Sequence, residues 1–245
     1  MKFNQLTSYF LILSILSLSA CKTDNTGSAL PHNLSKTENE GLQEIIKIYS
    51  GVVHFDKGAF PATADTEPVR IFEVTLSESS KVEEQLENAK LISSNLAWLM
   101  YKHMDNDANN YDEIHAVLIT KDNKTTIKYP VDDLKVVAKK MRLIEKLVAL
   151  IKDENYEAIR SMLNNKDLIE YPKDEILAEL NFRSKTNGAV KGFTPAGFKR
   201  NKSADGKSIL QLSGFLNREK LDHPISIAAD MQSDKEEVLF LQFML

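Results

Sequence analysis

A chain with one cysteine has little sulfur chemistry open to it. Cys21 is the only Cys in 245 residues, so no intramolecular disulfide, thiolate metal cluster or catalytic thiol can be built from the remainder of the chain. The most suggestive oxygen-rich stretch is Asp105-Asn106-Asp107-Ala108-Asn109. It copies the first five positions of a calcium loop, where a hard cation collects several oxygens from one tight turn. The sixth position is Asn110 where the turn needs Gly, and the twelfth is Ala116 where a bidentate Glu should close the shell. Glu113 lies three positions early. The stretch reads as a solvated helix-to-strand loop, with a weak calcium site on Asp105, Asp107 and Asn109 as the alternative.

The five histidines are His32, His54, His103, His115 and His223. No two stand at a His-x-x-x-His spacing that would aim both rings at one metal from a helix. They read as dispersed surface or structural residues, and whether His54 and His115 meet in space is a question for the tertiary fold. There is no Gly-x-Ser-x-Gly elbow to expose a serine nucleophile. Gly192-Phe193-Thr194-Pro195-Ala196-Gly197 lacks the Gly-Lys-Ser/Thr ending of a phosphate loop, and Pro195 removes an amide donor; a bend or bulge within a strand explains it. Glu73, Glu78, Glu83, Glu84 and Glu87 form a solvated charge pattern, with nothing nearby to desolvate two of them together. No catalytic residue and no cofactor is assigned. Trp98 reads as a core or interface anchor.

The elements around Cys21 explain its presence. Lys2 is the only charged side chain before it, followed by the apolar run Tyr9-Phe10-Leu11-Ile12-Leu13-Ser14-Ile15-Leu16 and then by small residues. That is the order of a secretory signal, and the run is shorter than the roughly 20 apolar residues of a spanning helix. Leu18-Ser19-Ala20-Cys21 resembles the lipobox of bacterial lipoproteins. The resemblance implies cleavage between Ala20 and Cys21, diacylglycerol on the Cys21 thiol and acylation of the new amino terminus. Residues 1–20 are then a signal peptide, and lipid on Cys21 holds the protein to a membrane. Lys22 stands where well-studied enterobacterial lipoproteins of the inner membrane carry Asp, so the expected address is the outer membrane. With the AT-rich residue usage, the chain resembles the small lipoproteins common in Bacteroidota.

Removing residues 1–20 takes away one Lys and no acid, leaving 30 basic and 35 acidic residues. This mild acidity provides no clustered basic surface for nucleic acid and no broad attraction to anionic lipid. The polar stretch from Lys22 to Glu40 lacks an apolar period, so residues 21–40 read as a lipidated, disordered tether.

From Gly41 the chain reads as α+β: a helix-and-strand unit over 41–130 and a helix-then-meander unit over 131–245. Leu42, Ile45, Ile46 and Tyr49 share a helical face. Val52–Phe55 and Val69–Leu76 read as strands, with a loop over 59–68. Ser80-Lys81-Val82-Glu83 has capping-box spacing and opens a helix through His103. Ile114–Ile119 and Thr125–Tyr129 form a hairpin. A long helix spans Val131–Ile151 with Asp132 and Asp133 in its first turn, and a shorter one lies near Glu154–Leu163. Another starts at Tyr171-Pro172, with Pro in the first helical position. Period-two strands follow at Ala189–Lys199, Ser208–Asn217, Ile225–Met231 and Glu237–Met244, joined by short polar turns as in an antiparallel meander. Over Met141–Leu245 this element order resembles cystatin-like and nuclear-transport-factor-like folds, which implies a cone around a pocket. The expected role is a membrane-anchored, non-enzymatic binding or accessory module of the bacterial envelope, with an envelope protein as a possible partner. The alternatives are an enzyme whose site assembles from dispersed residues in such a pocket, and a structural subunit of an envelope complex.

Overall fold

Ser35 opens the first helix: its Oγ accepts from the Glu38 amide while the Glu38 carboxylate accepts from the Ser35 amide at 2.7 Å, closing both halves of a capping box. The computed structural model describes residues 34–60, 67–164, 172–203 and 205–244, and in it α1 runs Lys36–Tyr49. The expected tether is therefore too long, because α1 begins inside the polar stretch. Polarity misled there because Glu38 is buried, with its oxygens held at 2.6 Å by Lys57 Nζ and at 2.6 Å by Tyr111 Oη. Leu34 is buried as well. Cys21 and the lipobox, with the cleavage site at Ala20, lie outside the described residues, as does His32.

The first sheet has the order β1-β2-β3-β4. β1 (Val52–Phe60) and β2 (Val69–Ser77) are antiparallel, paired from Val52↔Ser77 to Phe60↔Val69. Unbroken pairing carries β1 past Phe55 and takes Ala59 and Phe60 out of the expected loop. β3 (Glu113–Ile119) lies parallel to β2, and β4 (Lys124–Pro130) closes the hairpin with β3. A parallel pair needs a crossover. It is made by α2 (Ser80–Glu83), a 3-10 turn at Leu86–Asn88, and α3 (Ala89–Met104). The expected box at Ser80 and Glu83 does not form. Ser79 is the cap, accepting from the Val82 amide and donating to Tyr49 O, while Glu83 Oε1 accepts from the Lys121 amide at 2.8 Å.

The second half supplies α4 (Val131–Lys152), α5 (Tyr156–Met162) and α6 (Lys173–Asn187). These are followed by β5 (Val190–Lys202), β6 (Ser208–Arg218), β7 (His223–Asp230) and β8 (Phe240–Gln242). The last four strands pair consecutively and antiparallel, so the molecule is α+β with the expected meander. Pro172 caps α6 instead of entering its first turn. β8 is far shorter than Glu237–Met244, because Val238 bridges Leu163 and exchanges backbone hydrogen bonds with Met162 and Asn164.

α3 joins the two sheets. Ten consecutive residues from Leu91 to Met100 are buried, the signature of a helix enclosed on all sides. It packs against α1, β3 and β4 on one side and β5 on the other. β5 is an edge strand, and the helix covers that edge. Ser94 Oγ accepts from the Phe198 amide at 2.8 Å, and Asn95 Nδ2 donates to Pro195 O at 2.9 Å. Gly197, with φ +131°, allows this approach, since a Cβ there would stand 2.2 Å from Leu91 O. Covering an edge removes the unpaired donors and acceptors that invite aggregation. Apolar residues of both sheets, from Phe72 and Ile114 to Leu212 and Ile227, belong to one continuous buried cluster. The chain position between Pro130 and Val131 separates the sheets; the core is shared.

Candidate functional site

The seam where α1, α3 and β5 meet encloses a cavity of about 220 Å³. α1 contributes Ile48 and Tyr49 at its C-terminal end. The crossover contributes Lys81, Gln85, Asn88, Leu91 and Ile92. Thr194, Pro195 and Ala196 come from β5, and Phe215 from β6. The strand residues reach the seam because β5 shifts register between Pro195 and Gly197. Of the bend or bulge expected for the Gly192–Gly197 stretch, the strand makes a shift of register.

The walls are mainly apolar, and their polar atoms are largely engaged. Tyr49 Oη accepts from Asn95 Nδ2 at 2.8 Å, and burial pushes the phenol up to about 12, so it stays protonated at neutral pH. Lys81 Nζ donates to Ile48 O. Tyr49 and Lys81 are the only ionisable residues among those lining the cavity; no Asp, Glu, His or Cys is among them. Such a surface holds an apolar group through contact and desolvation, and no general base or nucleophile pair faces it. Its volume falls below the roughly 300–1,000 Å³ usual for small-molecule sites. It suits one ring or one branched chain.

A larger, open groove of about 900 Å³ lies on the other side of α2, at the carboxyl ends of parallel β2 and β3. Its surface is more apolar than polar, although His54, Ser77, Glu78, Ser80, Glu84 and Lys121 are among the residues that line it. A third hollow, between α3 and α4, is bordered by Trp98, Tyr101, Arg142 and Glu145. Trp98 itself is buried, with its ring 6.3 Å from that of Tyr101.

The residues singled out from sequence do not converge. Asp105–Asn110 is a 3-10 turn. Asp107 Oδ2 accepts from Thr37 Oγ1 at 2.6 Å, a bond that holds its carboxyl below the usual range. Among the described residues no group of three or more His, Cys, Asp and Glu could hold a metal ion. His54 on β1 and His115 on β3 are separated by β2 and staggered, His54 opposite Thr75 and His115 opposite Glu73. His115 is buried, 2.7 Å from Glu113 Oε2, with its ring tilted against that of Phe60 at 5.8 Å. His103 is bonded to Glu44. Sequence reasoning missed the seam cavity altogether. Its lining is scattered from Ile48 to Phe215, and Pro195 inside a strand was the one local hint.

Comparison with protein-family profiles, with curated proteins and with solved structures found no match to this chain. No helix of the described residues is long and apolar enough to cross a membrane.

Proposed function

We propose that the protein is a lipid-anchored accessory module of the bacterial envelope, held by acyl chains on Cys21 and binding one apolar group of a partner in the seam cavity. The lipobox pattern Leu18-Ser19-Ala20-Cys21 supports the anchor, and Lys22 supports an outer-membrane address. The observation that carries the binding role is the lining of the cavity: an apolar pit without an acid–base pair, sized for a single side chain. Interfaces commonly seat such an anchor, an aromatic or aliphatic group in a desolvated pocket.

One experiment with two arms tests both parts. Cells making the wild-type chain or Cys21→Ser are fractionated after labelling with a fatty-acid analogue. Wild type is expected in the outer-membrane fraction carrying label, and Cys21→Ser is expected unlabelled and released; a variant that stays in the membrane overturns the anchor. In the second arm, a neutral naphthalene dye is titrated into the detergent-purified full chain. Binding lost in Ala196→Phe, with an unchanged circular dichroism spectrum, supports the cavity. Equal dye binding by a folded Ala196→Phe overturns its role.

A further inference from the structure

At the end of the second sheet, several buried donors lack an acceptor among the described residues. Arg218 ends β6 and His223 begins β7; both are buried, at 6% and 3% exposure. Arg218 Nε donates to His223 Nδ1 at 3.2 Å, and its Nη1 donates to Gly188 O at 2.7 Å and Ser184 Oγ at 3.3 Å. These bonds tie the end of α6 to the β6–β7 turn. They leave Nη2 buried without a partner among the described residues.

The tautomer of His223 follows from the same contact. A guanidinium can only donate, so Nδ1 must accept, and the neutral ring carries its proton on Nε2. Among the described residues that N–H is also buried without a partner, and so is the Tyr156 hydroxyl of α5. Tyr156, Arg183 and the acid Glu154 lie within electrostatic range of Arg218, and Arg183 Nε is paired with Glu179 Oε1 at 2.6 Å. The Arg183 guanidinium sits 4.8 Å from the centre of the Phe243 ring, which is 6.0 Å from the His223 ring. Asp222 does not neutralise the guanidinium by contact, since its Oδ1 accepts from the Arg218 backbone amide at 2.7 Å. A buried cation whose remaining donors face no acceptor is costly, and each such group calls for a cause.

An oxyanion meets these donors with two or three acceptor oxygens. The surroundings suggest what carries it. Phe182, Leu221 and Met244 are exposed at 59%, 64% and 60%. They neighbour Arg183, lie in the turn between Arg218 and His223, and adjoin Phe243, respectively. We propose that Arg218, His223 and Tyr156, with Arg183 beside them, form a binding site for a carboxylate or phosphate group borne on an apolar body. This site is separate from the seam cavity and stands independently of it.

The test is isothermal titration of the full chain in neutral detergent with inorganic phosphate, acetate and decanoate. At least one is expected to bind saturably. Tyr156→Phe, which removes one donor and keeps the ring, and His223→Phe, which removes the Nε2 donor together with the acceptor of Arg218 Nε, should each weaken that binding about tenfold. Binding of phosphate or acetate assigns recognition to the head group alone, and binding of decanoate only assigns it to an amphiphile. In the wild-type chain the His223 Nε2–H proton signal should shift on addition of the bound probe, a readout that needs no variant. Absence of saturable binding by all three, binding unchanged in both variants, or an unmoved His223 signal would overturn the site.

Discussion

His223 accepts a hydrogen bond from a group that never gives up its charge. Burial, then the charges of Arg218 and Arg183, push its pKa from 6.5 down to about 4. The folded protein thus keeps the ring neutral, while the unfolded chain takes up a proton once the pH drops through about 6.5. The stabilisation from this residue is complete above that pH and shrinks as the pH falls toward 4. The expected loss is about 2 kcal/mol by about pH 5. Urea unfolding at neutral pH and at about pH 5 measures it, and His223→Phe should show a smaller drop between the two. A bound oxyanion would oppose the trend by favouring the charged ring.

At the scale of elements, two stretches share the Ser-x-x-Glu spacing. Ser80-Lys81-Val82-Glu83 precedes the more apolar run, yet Ser35-Lys36-Thr37-Glu38 is the box that closes. The spacing is identical; the partners differ. Glu83 is drawn to the Lys121 amide across the end of β3. Burial by itself would raise the Glu38 pKa, but Lys57, Tyr111 and the Ser35 amide together outweigh it and hold the carboxyl below 4.5. Its stabilisation is present above that value and is lost as the pH falls through the lower, folded one. Glu38→Gln keeps the shape and removes the charge opposite Lys57. It should cost about 3 kcal/mol, read as a lower urea midpoint. A midpoint equal to wild type would show that the box and its buried pair contribute nothing net.

At the scale of the molecule, α3 decides whether there are one or two folding units. It is buried on every side, and its Ser94 and Asn95 satisfy the exposed edge of β5. A fragment of residues 131–245 would keep its own helices and meander but lose that cover, leaving the Phe198 amide and Pro195 carbonyl unpaired. It is expected to aggregate, whereas the full chain should unfold in one cooperative step. Size-exclusion chromatography and amide NMR of the fragment provide the measurement; a dispersed, monomeric spectrum would refute a shared core.

The α+β class, the order of helices then meander and an irregularity of the strand near Pro195 were legible in the chain alone. The periods of 3.6 and 2 and the restrictions of proline are local properties. The sites were not legible. The seam cavity draws on residues from Ile48 to Phe215, and the Arg218–His223 group draws Tyr156, Arg183 and Phe243 from separate elements. Sequence spacing carries no record of which faces meet across a sheet edge or a helix crossing. Only packing around α3 and the return of β7 beside β6 decided which side chains became neighbours, and which donors were left without a partner.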